Sequence, residues 1–162
     1  MPGEPADHAL GRSRGGFGTK LHLVTDGAGL PLAVVVSPGQ AHESKYVAPV
    51  LEQIRIRQPV GRPRQRPAAL AGDKGYSFDG IRRWLTQHHM RAVIPTRRDQ
   101  RPRPAFDPTQ YRQRSAIECT VGLLKEARRI ATRYEKLALH YLGVLKLGML
   151  QMHLHLTLSN TP

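Results

Sequence analysis

The chain has 162 residues, of which 40% are hydrophobic, enough for the core of one domain and too many for a disordered tail. Its 25 Lys and Arg against 12 Asp and Glu leave a formal charge of +13, which disfavours an ordinary scavenger of acidic substrates and favours a polyanionic partner, most often nucleic acid. The single cysteine, Cys119, excludes an intramolecular disulfide and a cysteine-based zinc site.

Residues 1–18 read as an irregular lead-in carrying the basic pair Arg12 and Arg14, with neither the basic head nor the apolar run of a secretory signal. Residues 19–25 read as a strand, with Leu21 and Leu23 alternating. Asp26-Gly27 is the strongest short turn signal in the chain, and residues 32–36 form a nearly continuous apolar run. Together they predict a hairpin closed by Pro38-Gly39. Val47, Val50, Leu51 and Ile54 recur at helical spacing and predict a helix over 44–56. A basic, Pro-rich loop, 57–67, leads to a short apolar strand at 68–72 that ends in Asp73-Lys74-Gly75-Tyr76. Asp79 is placed to cap a helix over 80–89 that turns Ile81, Trp84 and Leu85 inward. A strand at 92–95 and a second basic loop, 97–104, come next.

From 109 to about 131 the pattern predicts one long helix, with Ile117, Val121, Leu124 and Ala131 on one side. The last helix, 137–157, is apolar nearly all round and is expected to be buried or paired. His140, Lys146, Gln151, His153 and His155 interrupt it, which argues against a membrane span. The order β-β-α-β-α-β-α-α points to an α/β domain with a mixed sheet flanked by helices, occupying residues 19–158.

Two places carry candidate chemistry. Asp73 lies where a buried strand ends, the position at which catalytic groups gather, and Gly72 and Gly75 permit close approach of a phosphate. A turn aspartate capping its own loop explains it equally well. On the long helix, Tyr111, Arg114, Glu118 and Lys125 follow one another at 3, 4 and 7 residues and share a face, which Arg129 continues and Gly122 leaves open. Plain charge pairing on a solvated face is the competing explanation. Asp73 and Glu118 are hard oxygen ligands suited to Mg²⁺ or Mn²⁺, two of which can clamp an in-line phosphoryl transfer.

Tyr111-x2-Arg114-x3-Glu118-x6-Lys125 matches the Y-(2)-R-(3)-E-(6)-K signature and so resembles insertion-sequence transposases of the IS5/IS4 kind, in the DDE superfamily. Residues 11–20, Pro38-Gly39-Gln40-Ala41-His42 and Ala71-Gly72-Asp73-Lys74-Gly75-Tyr76 are similar to the approach to the second strand, the exit of the third, and the segment bearing the second acid of those enzymes. The resemblance spans residues 4–155. It implies an RNase H-like DDE catalytic domain performing metal-dependent cleavage and strand transfer of insertion-sequence ends in DNA transposition. Asp73 and Glu118 would be the second and third acids and would hold two Mg²⁺ or Mn²⁺ ions. Tyr111, Arg114, Lys125 and Arg129 would contact DNA. The implied partners are terminal-repeat and target DNA and a second copy in a synaptic homodimer; the implied place is the bacterial cytoplasm and nucleoid, with no membrane contact.

The same resemblance places the first acid on a central strand ahead of residue 4. Asp7 and Asp26 occupy no such strand. The chain is therefore expected to be a fragment lacking its first strand and first catalytic Asp, and alone to be inactive, marginally stable, or both. It resembles the downstream product of two overlapping frames, whose upstream product would be a partner. The alternative is a non-catalytic DNA-binding or inhibitory remnant. Among other residues, His42 and the pair His153 and His155 read as loop and packing or surface groups, and Cys119 as a packed small hydrophobe. Trp84 reads as core. Arg62, Arg64, Arg66, Arg97, Arg98, Arg101 and Arg103 lie in loops and read as phosphate contacts.

Overall fold

A computed structural model describes residues 7–101 and 106–159; Arg103 lies outside them. The chain divides into two compact units, one built from Met1–His42 with Ala116–Pro162, the other from Glu43–Ser115. It is mixed α/β, as the patterning predicts. The described strands nevertheless form two sheets, one of three strands and one of two, where a single mixed sheet is expected. No described strand joins them.

In the first unit the antiparallel pair β2 (Gly16–Thr25) and β3 (Pro31–Pro38) is the expected hairpin, longer at both ends. Asp26 makes its turn: Oδ1 accepts from the amides of Ala28 and Leu30, each at 2.9 Å. Gly29 completes the loop at φ +91°, a conformation that side-chain-bearing residues rarely adopt. The lead-in is not irregular throughout. Gly11–Ser13 forms β1 and pairs with the start of β2, because Gly16 at φ +110° and the Ser13 hydroxyl, which accepts from the Gly15 amide, close a second tight turn. Gly39 stands against the carbonyls of Gly11 and Gly18, at 2.6 and 3.0 Å from where a Cβ would lie, so only glycine fits without a shift.

Leu21, Leu23 and Val36 pack with Val34 against Leu124, Ile130, Tyr141, Leu145 and Met149. Those partners come from three helices: α4 (Ser115–Glu126), α5 (Arg128–Ala131) and α6 (Ala138–Ser159). The expected long helix is thus broken. Ala127 is extended (φ −73°, ψ 111°) and separates α4 from α5. Ahead of α4 lies α3 (Pro108–Arg112), in the second unit, which starts on the Asp107 cap and ends where the amides of Gln113 and Arg114 bond only three residues back. Tyr141 locks α5 down by donating its hydroxyl to the Ile130 carbonyl at 2.8 Å.

Helix α6 buries Tyr141, Leu145 and Met149, four residues apart, while Leu139, Leu147, Leu150, Leu154, Leu156 and Leu158 are exposed. The expectation of a buried or paired helix holds for one face only. Among the described residues no helix is long and apolar enough to cross a membrane.

In the second unit, a 3-10 turn (Glu43–Tyr46) leads into α1 (Val47–Leu51), shorter than the helix expected over 44–56. Val47, Val50, Leu51 and Ile54 are nonetheless all buried, as their spacing requires. Strand β4 (Ala69–Ala71) runs parallel to β5 (Arg91–Val93), with α2 (Asp79–Gln87) between them in sequence. Asp79 does not cap α2: Phe78 holds that position, and Asp79 instead opens the first turn, where its charge suits the helix dipole. Ile81 and Leu85 are buried; Trp84 is half-buried and stacks on His88, ring centroids 4.0 Å apart. His89 at φ +57° ends the helix.

Candidate active site

Asp73 leaves β4 extended (φ −75°, ψ 177°) and caps a one-turn 3-10 helix, Lys74–Tyr76. Its Oδ1 accepts from the Gly75 amide at 2.7 Å, and its carbonyl accepts from Tyr76 at 3.1 Å. The capping role and an exposed carboxylate therefore coexist in one residue, because only one oxygen is committed to the turn.

Glu43 is the residue that the sequence did not single out. Its Oε2 and the Asp73 Oδ1 lie 2.5 and 2.8 Å from where a Gly75 Cβ would stand, so two carboxylates converge over a glycine. Burial, and then the charges of Glu43 and Asp73, push the Tyr76 hydroxyl up to about 12. The 3-10 turn of Glu43 packs on that of Asp73. Nothing in local sequence spacing announces a partner thirty positions away.

Around the Asp73 turn the second unit builds a polar frame. Ser77 is fully buried; its hydroxyl donates to the Gln100 side-chain carbonyl at 2.6 Å, and the Gln100 amide donates to the Ser77 carbonyl at 2.6 Å. Arg82 donates to the Ser77 hydroxyl at 3.1 Å and to the Ile94 carbonyl at 2.7 Å. Arg97 donates to the carbonyls of Lys74 and Gly75 at 3.1 and 3.3 Å, with its guanidinium 4.2 Å over the Phe78 ring.

Glu118 lies in the first turn of α4 and is exposed. It belongs to the first unit, and Asp73 to the second. Tyr111 ends in α3, Arg114 in the turn after it, Lys125 in α4 and Arg129 in α5, so the five-residue stripe expected on one continuous helix is distributed over three helices and a turn. Arg114 stands 5.6 Å over the Tyr111 ring. Lys125 is exposed. Arg129 is committed elsewhere: it pairs with Glu135 at 2.8 Å. Burial raises the Glu135 pKa, but backbone amides and the Arg129 guanidinium outweigh it and leave the carboxyl below its ordinary range.

Cys119, expected to be packed, is exposed, because it points away from the buried Thr120–Leu124 side of α4. His153 donates from Nε2 to the Pro31 carbonyl at the edge of the hairpin, at 2.7 Å. Arg62, Arg64, Arg66, Arg98 and Arg101 are exposed on the loops. Among the described residues no three His, Cys, Asp or Glu side chains gather as a metal cluster.

A family model described as the transposase DDE domain matches residues 2–149. The chain is 32% identical over 132 residues to a protein from Burkholderia cepacia named as a transposase for insertion sequence element IS402, covering 81% of this chain and 60% of that one. It is 31% identical over 134 residues to a Brucella ovis protein named as a transposase for insertion sequence element IS6501, covering 80% of this chain and 93% of that one. The chain thus spans less than two thirds of the IS402 relative. No solved structure matches it significantly.

Proposed function

Since the chain belongs to the transposase DDE-domain family, we propose that it serves in an RNase H-like transposase catalytic domain of the IS5 or IS4 kind, within residues 19–158. One observation carries the reading beyond family membership. Asp73 stands exposed at the end of a parallel strand, held by its own turn yet with an oxygen left over for chemistry.

In this reading Asp73 is the second acid and Glu118 the third, serving cleavage and strand transfer of insertion-sequence ends. Both are exposed carboxylates, hard oxygen donors whose chemistry fits Mg²⁺ or Mn²⁺. Such an ion, when bound, stabilises charge that develops on the transferring phosphate. Two acids are not a full set, and no described strand carries a carboxylate. Tyr111, Arg114 and Lys125 hold and orient the DNA end. The exposed arginines of the two loops take phosphates without reading bases. The partners are terminal-repeat and target DNA and a second copy in the synaptic complex; the setting is the bacterial cytoplasm, at the nucleoid.

The test is nicking of DNA carrying insertion-sequence ends, with Mg²⁺ or Mn²⁺, by the chain alone and mixed with a product bearing the first strand. The expected result is metal-dependent nicking by the mixture that Asp73→Ala and Glu118→Gln each abolish. If Glu118→Gln leaves every activity unchanged, the enzyme reading fails. The second reading, a non-catalytic binding or inhibitory remnant, then stands.

A further inference from the structure

We propose that Arg97, together with Gln100, is a positioning residue for Asp73 and not a DNA phosphate contact. The inference rests on the reading of Asp73 as a catalytic acid.

The basic loop after β5 contributes several arginines, and charge alone treats them as equivalent. The structure separates Arg97 from the others. Arg98 and Arg101 are exposed, whereas Arg97 is half-buried and faces the Asp73 turn. Its Nε and one terminal nitrogen reach the carbonyls of Lys74 and Gly75, and its plane covers the Phe78 ring at 4.2 Å. Lys74 and Gly75 are the two residues immediately after Asp73, and the Gly75 amide is the group that holds Oδ1. Pinning their carbonyls fixes the peptide plane that carries that amide, which includes the Lys74 carbonyl, and the plane that follows it. The carboxylate is fixed with it.

Gln100 closes the frame from the other side. Its side-chain carbonyl accepts from the Arg97 amide at 3.1 Å and from the Ser77 hydroxyl at 2.6 Å, while its side-chain amide donates to the Ser77 carbonyl. The loop is thereby tied to both ends of the 3-10 turn. A guanidinium suits the task because its planar fork serves two carbonyls while its face stacks on an aromatic ring; an ammonium has no such fixed plane to do both at once. Catalytic carboxylates need this, because a small misplacement of a reacting group costs far more rate than binding.

The experiment measures amide hydrogen exchange at Gly75 and Tyr76 in the 162-residue chain, together with the salt dependence of DNA binding, for wild type, Arg97→Ala, Arg97→Lys and Gln100→Ala. The expected result is exchange at Gly75 and Tyr76 faster by about tenfold in all three variants, with exchange in the β2–β3 hairpin unchanged. The log–log salt slope stays at the wild-type value, and lysine does not rescue. Where nicking by the assembled protein is measurable, kcat falls and KM for DNA holds. A salt slope reduced by about 0.9 with rescue by lysine and unaltered exchange overturns the proposal, since that is the signature of a lost phosphate contact. If Arg97→Ala fails to fold, Gln100→Ala carries the same comparison. Absence of nicking in wild type would count against the catalytic reading, while the exchange and salt results still decide what Arg97 does.

Discussion

The Thr120 hydroxyl on α4 faces two carbonyls, that of Gly29, 91 residues earlier, and that of Ala116 one turn back, and its one hydrogen is shared between them. This buried bond clamps the β2–β3 turn onto the helix that bears Glu118. A Cβ on Gly29 would stand 3.2 Å from that hydroxyl and 3.3 Å from the Ala116 carbonyl, on a backbone already at φ +91°. Thr120→Val, which keeps the shape and strands the Gly29 carbonyl, should cost about 1–3 kcal/mol in chemical denaturation. Thr120→Ser should cost less, and Gly29→Ala at least about 1 kcal/mol through its strained backbone. Equal stability of Thr120→Val and wild type would show that the clamp contributes nothing.

Removing the two exposed acids should separate chemistry from binding. Asp73→Ala and Glu118→Gln are each expected to lower metal-dependent nicking by a hundredfold or more, on the order of what a lost charge-stabilising group costs. Affinity for DNA, measured by anisotropy at fixed salt, should stay equal or rise as negative charge is removed. Loss of binding in parallel with nicking would place these carboxylates in the fold and not in the reaction.

Tyr76 reports on the acids beside it. Its hydroxyl sits at about 12, above the usual 10.0, because of burial first and the charges of Glu43 and Asp73 next. Since the folded value lies above the unfolded one, the contribution of neutral Tyr76 is whole below about pH 10 and is lost as the pH rises toward 12. Absorbance titration should show a late-ionising tyrosine that disappears in Tyr76→Phe. Glu43→Gln and Asp73→Asn should each bring it down. An unmoved titration in both variants would separate Glu43 from this site.

Lys125 and Arg129, which the sequence puts on one stripe, should behave differently. Lys125→Ala is expected to reduce the salt slope of DNA binding by about 0.9. Arg129→Ala should act on stability, by about 1 kcal/mol, because it deprives the largely buried Glu135 of its partner. The Glu135 carboxyl is held below its ordinary range, so its contribution is present above the unfolded carboxylate value and lost as pH falls through the folded one. Urea denaturation at pH 7 and pH 3 should show a smaller loss on acidification for Arg129→Ala than for wild type.

Local signals in the sequence translated well into local structure. Alternation of Leu21 and Leu23 around Asp26-Gly27 yields the hairpin, and the spacing of Val47, Val50, Leu51 and Ile54 yields four buried side chains. The errors have physical causes. Helical periodicity continues through Gln113, Arg114 and Ala127 because it records which residues are apolar, and the breaks there are backbone events. The Gly16 turn that makes β1 looks like loop composition until its φ is known. Of the two proposed acids, Asp73 is legible from its strand exit and Glu118 from its signature. Glu43, Gln100 and the engagement of Arg97 depend on contacts 22 to 30 or so positions apart, which no local pattern encodes.

The first unit is discontinuous, its two parts lying on either side of a complete second unit. During synthesis β3 is finished roughly a hundred residues before α6 begins. At ribosomal speeds the apolar face of the hairpin waits on the order of ten seconds for Leu145 and Met149 to arrive. The intervening Glu43–Ser115 segment forms a compact unit with its own strand pairing and is fully synthesised in that interval. A chain interrupted before residue 138 would thus carry the hairpin, α4 and α5 without Tyr141, Leu145 and Met149, leaving the apolar face of the hairpin only partly covered.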